Sequence, residues 1–159
     1  YLAFFDFRSL EESGQLSLAL KYKAMKNGPV PIEIYIDKQF RNSPLYKFEE
    51  SKFTKDNEDL TAVHIIPQPQ KDDKYLEVFS PYELELLKNL IEIFAQSWVT
   101  AKVMSDASHE GRNGIKAWMK TWRRKQNDII KFEDTFDDLE NKIKNNTATT
   151  PEEHFYTYQ

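Results

Sequence analysis

Ser80-Pro81-Tyr82-Glu83 is the strongest folding instruction in this chain. A serine hydroxyl can accept from the exposed amides of a first helical turn, and a proline fits the first helical position because its missing N–H is not needed there. A glutamate three residues after the serine can bond back to the serine amide and complete a capping box. Downstream, Leu84, Leu87, Ile91, Phe94 and Trp98 recur at alternating spacings of three and four, and Leu86, Leu90 and Ile93 widen the stripe. The pattern predicts a helix that starts at Ser80 and serves as the central core helix. It commits the 159-residue chain to a helix-dominated core.

The flanking segments extend this reading. Tyr1 to Leu10 is too apolar for a surface helix and ends at Glu11-Glu12-Ser13-Gly14, which predicts a buried helix stopped by Gly14. Leu18, Tyr22 and Met25 stand at helical spacing and predict a second helical segment. It ends at Lys26-Asn27-Gly28-Pro29, where the glycine can take a positive φ and the proline can start a helix. Val30, Ile34 and the stretch from Tyr35 to Phe40 predict a further helix, ending near Asn42-Ser43-Pro44. From Leu45 the pattern changes. Tyr46, Phe48 and Phe53 mark one run and Ala62-Val63-His64-Ile65-Ile66 another, with Lys55-Asp56-Asn57-Glu58-Asp59 between them. This reads as a β-hairpin closed by Pro67 and Pro69, with Gln70 to Lys74 as an exposed loop. Helices are expected again at Val99 to Ala107, ending near Ser108-His109-Glu110-Gly111, and at Ile115 to Lys125 and Asp128 to Lys144. A last one follows the Thr150-Pro151-Glu152-Glu153 signal, after a polar linker at Asn145 to Thr150. The expected fold class is mainly α with a small β-hairpin (α+β), as a compact single-domain helical fold.

Composition narrows the function classes. With 40% apolar and 14% aromatic residues the chain can bury one substantial core. The 22 basic and 26 acidic side chains give a net charge of -4, without the basic excess of a dedicated nucleic-acid binder, although a local basic patch stays open. There is no cysteine, so a disulfide framework, a thiolate zinc site and a cysteine nucleophile are excluded. No apolar run approaches the roughly 18 residues that cross a bilayer, and no signal-peptide pattern is present. A soluble cytoplasmic protein without membrane contact is expected. Because the chain opens at Tyr1-Leu2-Ala3-Phe4-Phe5, inside an apolar run and without an initiator methionine, a natural N-terminal segment is expected to precede it. The four glycines, Gly14, Gly28, Gly111 and Gly114, spell neither a Walker loop nor a dinucleotide fingerprint. His64, His109 and His154 lack the spacing that places two imidazoles on one helix face for zinc. Asp134, Asp137, Asp138 and Glu140 lack the alternating oxygen ligands and glycine of a calcium loop, and read as a solvated face.

Three segments carry functional alternatives. His109, within Ser105-Asp106-Ala107-Ser108-His109-Glu110, can be drawn as a general base or as a structural imidazole at a helix C-terminus, and the absence of a nucleophile elbow favours the second. Arg112, Lys116, Lys120, Arg123, Arg124 and Lys125 have no acidic residue among them. Lys116, Lys120 and Arg124 share a face, with Ile115, Trp118, Met119 and Trp122 turned elsewhere. That basic amphipathic helix either meets an acidic partner or a phosphate backbone, or is a solvated face over a tryptophan-anchored core, balanced by the acidic helix that follows. In Asp128 to Lys144 the apolar stripe Ile129, Phe132, Phe136, Leu139 and Ile143 packs either into the chain's own core or into a partner.

Three blocks occur in a familiar order: Tyr1-Leu2-Ala3-Phe4-Phe5-Asp6, then Tyr22-Lys23-Ala24-Met25-Lys26-Asn27-Gly28-Pro29-Val30, then Val103-Met104-Ser105-Asp106-Ala107-Ser108-His109 followed by Trp118. Over about residues 1 to 122 they resemble the Panacea domain family, of SocA-like antitoxins and phage-associated GepA-like proteins, and the glycine-proline-valine junction with its upstream tyrosine is the most specific part. The resemblance implies a mainly helical domain with a small β element. It further implies a non-enzymatic antitoxin that needs no cofactor and neutralises a cognate toxin encoded beside it by direct contact, with delivery to a protease machinery in at least one branch. Asp6, Gly28, Pro29, Ser108, His109 and Trp118 match family motif positions and are expected to shape the fold. In the family the tryptophan follows the histidine more closely, whereas here Gly111 to Lys116 intervene, and the family's helix ahead of the first block is absent from this sequence. The expected organisation is a Panacea-like domain over 1-122 and a C-terminal helical extension over 123-159, packed on the domain or used for a partner. The expected partner surface is Arg112, Lys116, Lys120, Arg123 and Arg124. A nucleic-acid-associated regulator acting through Arg112 to Lys125 is the alternative.

Overall fold

The computed structural model of the chain describes residues 1–36, 43–55, 58–69, 73–109 and 114–158. It is α+β and mainly helical, with two antiparallel two-stranded sheets among the described residues, and it divides into two compact units, Tyr1–Tyr35 with Phe79–Gln159, and Ile36–Val78. No helix of the described residues is long and apolar enough to cross a membrane.

The first unit is built around α1 (Leu2–Ser13), which buries Phe4, Phe5, Phe7 and Leu10 together with the polar Asp6 and Ser9. It stops as expected at Gly14, whose φ of 76° lets its N–H return to the Leu10 carbonyl at 2.9 Å. The next segment departs from the helix expected there. Tyr22–Met25 is strand β1 and pairs antiparallel with β2 (Gly28–Pro31), in the register Tyr22↔Pro31 through Met25↔Gly28. Helical spacing of Leu18, Tyr22 and Met25 misled because the burial period is two: Tyr22 and Ala24 are inside, while Lys23 and Met25 are partly exposed. Residues 127 to 130 cover the other edge of β1. Ala24 N–H donates to the Asp128 carbonyl, Asn127 N–H to the Ala24 carbonyl, and Ile130 N–H to the Tyr22 carbonyl, all within 2.9 Å. α2 (Ile32–Ile36) follows β2, and the rest of the helix expected toward Phe40 lies outside the described residues.

α3 (Pro81–Phe94) has the predicted cap, with Ser80 Oγ accepting from the Glu83 N–H and the Glu83 carboxylate accepting from the Ser80 N–H. That bond holds the Glu83 carboxyl below its usual range. The helix is nevertheless peripheral. Of its apolar stripe only Leu86 and Leu90 are buried, Ile91 and Ile93 are exposed, and Trp98 beyond it is 65% exposed, so the central role belongs to α1.

α4 (Ala101–His109) and α5 (Lys116–Arg124) lie where expected. The single helix expected over Asp128 to Lys144 is broken instead. After the bridge to β1 comes a 3₁₀ turn, Phe132–Thr135, then Asp138 at φ 55°, then α6 (Leu139–Lys144). Of that stripe Phe136 and Leu139 are buried in this unit's own core and Phe132 and Ile143 pack against it, which settles most of it as intramolecular, while Ile129 is exposed. α7 (Thr150–Thr157) is capped by Thr149, one residue before the sequence signal, with Glu152 completing the box. Glu152 also accepts from Lys142 Nζ at 2.5 Å and so ties α6 to α7.

In the second unit β3 (Tyr46–Lys55) and β4 (Glu58–Pro67) form the predicted hairpin, registered from Tyr46↔Pro67 to Lys55↔Glu58. Two side-chain bonds lie on its surface, between Ser51 Oγ and His64 Nε2 at 3.0 Å and from Thr54 Oγ1 to Asp59 Oδ1 at 2.9 Å. Phe53, Ile65 and Ile66 are exposed.

Candidate functional site

The motif residues of the sequence converge on the short hairpin β1–β2, four residues to a strand. At its N-terminal end stands Asp6, fully buried on α1. Its Oδ1 accepts from Leu18 N–H at 2.6 Å and Ala19 N–H at 3.2 Å, and its Oδ2 from Leu20 N–H at 3.2 Å and the Tyr22 hydroxyl at 2.9 Å. Ala19 sits at φ 52°, the left-handed conformation that turns successive backbone N–H groups toward one point and builds an anion nest. Here the nest is filled from within the chain, and Asp6 staples α1 to the start of β1. Burial, reinforced by the adjacent Asp6 carboxylate, pushes the Tyr22 hydroxyl far above its usual range, so it stays a donor.

At the turn end, Gly28 has a φ of 122°, and a Cβ there would stand 2.9 Å from Ser108 Oγ. Strand and helix meet across that missing side chain. Ser108 is buried, its hydroxyl donates to the Ser105 carbonyl at 2.7 Å, and its own carbonyl accepts from Ile115 N–H at 3.0 Å, which fixes where α5 begins. Pro29 pairs with Ala24 in β2. Trp118 Nε1–H donates to the Met25 carbonyl at 3.0 Å, holding the last residue of β1. The Trp118 ring lies flat on His109, with centroids 3.9 Å apart and planes 8° off parallel, and its contact with Trp122 is also stacked, at 5.6 Å. The longer His109-to-Trp118 spacing therefore still brings the two rings together. Asp106, the acid nearest His109 on α4, bonds Lys102 Nζ at 2.6 Å.

The basic face of α5 is paired within the chain. Asp137 receives Lys120 Nζ at 2.9 Å and Lys116 Nζ at 3.3 Å, and Asp134 receives Arg124 Nη2 at 3.0 Å. Hydrogen bonding from Lys120, then from Lys116, holds the Asp137 carboxyl below its usual range against the opposing effect of burial. Among the described residues Arg123 has no ion pair, and Arg112 lies outside them. Of the expected partner-surface residues, Lys116, Lys120 and Arg124 are thus ion-paired within the chain. Sequence reasoning missed Tyr22 as the hydroxyl partner of Asp6, the nest at Ala19 and the Met25 carbonyl. Of these only Tyr22 left a signal, its alternation with Ala24.

These contacts define a small α+β domain whose motif residues lock a buried hairpin to three helices. The model of the antitoxin SocA-like, Panacea domain family matches residues 1–113, and the chain belongs to that family. The match takes in Asp6, Gly28, Pro29, Ser108 and His109, while Trp118, which completes the stack, follows it. No curated protein and no solved structure gives a match.

Proposed function

We propose that this chain is an antitoxin that neutralises a toxin encoded beside it by direct protein–protein contact, acting in the cytoplasm and without catalysis of its own. The observation that carries the reading is the family match over residues 1–113. The geometry supports it by what the motif residues do. Asp6, Ser108 and Trp118 direct their polar atoms at partners inside the chain, as residues that shape a binding scaffold would. A nucleic-acid regulator is less well supported, because Lys116, Lys120 and Arg124 already face Asp137 and Asp134.

The test is co-expression with the product of the neighbouring open reading frame. The expected outcome is rescue of growth from that product's toxicity and co-purification of the pair. Neither rescue nor a complex would overturn the reading. Delivery of the toxin to a protease is a finer form of it, which predicts that the toxin's half-life shortens when this chain is co-expressed. His109→Phe keeps a flat ring against Trp118 and is expected to retain rescue. Loss of rescue with the fold intact would instead give the imidazole a chemical role.

A further inference from the structure

We infer that the outer edge of residues 129–131 is a docking strand for an extended, acidic-flanked segment of the protein partner. The inner edge is taken by β1, so the amides and carbonyls of Ile129 and Lys131 point the other way. Two of those four groups are closed locally: Ile129 N–H donates to Asp128 Oδ1 at 3.0 Å, and the Lys131 carbonyl accepts from Asp134 N–H at 3.2 Å. The Ile129 carbonyl and the Lys131 N–H are left without a bond among the described residues. One carbonyl and one amide two residues apart are what a neighbouring strand needs to add a two-bond ladder.

The edge borders a groove of about 670 Å³ whose apolar lining includes Leu16, Ile130, Phe132 and Phe155. Side chains alternate across a strand, so the incoming residue opposite Ile130 points into this groove and its neighbours point outward. Lys21 and Lys131 stand on the rim. Lys21 has no ion pair among the described residues, and Lys131 has only an exposed one, to Glu133 at 3.2 Å. Two lysines beside an outward-facing strand position select an acidic side chain there. The partner segment therefore carries an apolar residue with a carboxylate next to it.

The inference rests on the antitoxin reading, and the co-encoded protein is the probe. Lys131 has φ -89° and ψ 131°, in the extended region that also holds the backbone of a proline. Lys131→Pro thus removes the free N–H while breaking no backbone hydrogen bond, and Lys131→Ala accounts for the Glu133 ion pair that both substitutions lose. In calorimetric titrations Lys131→Pro is expected to weaken the complex at least tenfold, Lys131→Ala to cost a few-fold, and Lys21→Glu to weaken it more at low salt than at high salt. In the wild-type complex the Lys131 amide is expected to gain protection from hydrogen exchange, a readout that does not depend on any variant folding. No complex with the wild-type chain would overturn the antitoxin reading and this inference together. A wild-type complex with an unprotected Lys131 amide, or one that a folded Lys131→Pro variant forms equally well, would overturn this inference alone.

Discussion

The β1–β2 hairpin pairs four residues on each strand, the β3–β4 hairpin ten. By ladder length alone the second would be the firmer. The anchoring runs the other way. β1 is bonded on both edges, stapled by Asp6 at one end and by Trp118 at the other, with Tyr22 and Ala24 fully buried. β3–β4 is a two-stranded ribbon with exposed Phe53 and Ile65, the latter 61% exposed, and such ribbons are marginal unless a third layer covers them. A strand's stability here follows from what closes its edges and buries its faces, and Asp6, Trp118 and residues 127 to 130 do so for β1.

The most disruptive way to break this contrast is Asp6→Ala. It strips four donors, three backbone amides and the Tyr22 hydroxyl, of their buried acceptor. A loss of about 4 kcal/mol is expected in chemical denaturation. Gly28→Ala comes next, at about 2 kcal/mol, because an alanine is strained at φ 122° and its Cβ meets Ser108. Glu152→Gln acts on pH dependence. Burial favours the neutral acid, but bonds from Lys142 and from Thr149 outweigh it and hold the Glu152 carboxyl below its usual range. Its folded-state value is the lower one, so its contribution is complete above the unfolded value and is lost as pH falls through the folded one. An acid titration of stability should therefore have a shallower low-pH limb in Glu152→Gln than in the wild type. The smallest effect is expected in the long hairpin, where Thr54→Ala removes an exposed bond to Asp59 and should shift stability by no more than about 0.5 kcal/mol.

The same contrast explains what could be read in advance. β3–β4 was legible because two apolar runs are separated by a polar turn, and α3 because Ser80, Pro81 and Glu83 encode its cap locally. β1 was not, since Leu18, Tyr22 and Met25 fall at a coincidental helical spacing, a four-residue strand shows little of its own alternation, and its strand state depends on residues 127 to 130, about a hundred positions away. The break inside Asp128 to Lys144 has the same cause, because β1 takes the backbone of Asp128 and Ile130 out of any helix. Of the site, Asp6, Gly28, Ser108, His109 and Trp118 were identified as fold-shaping, but only their meeting on β1 shows how. The basic face of α5 was legible as a pattern, and so was its balance by the acidic segment that follows, while the particular pairs with Asp134 and Asp137 depended on a chain reversal that no local signal encodes.

Native-state hydrogen exchange on the intact chain tests the ranking of the two hairpins most directly. The amides of Ala24 and Ile130, which bond β1 to residues 127–130, are expected to exchange only through global unfolding, while those of β3–β4 exchange through local opening at much lower free energy. Equal protection of both hairpins, or a long hairpin that outlasts the short one, would contradict the account.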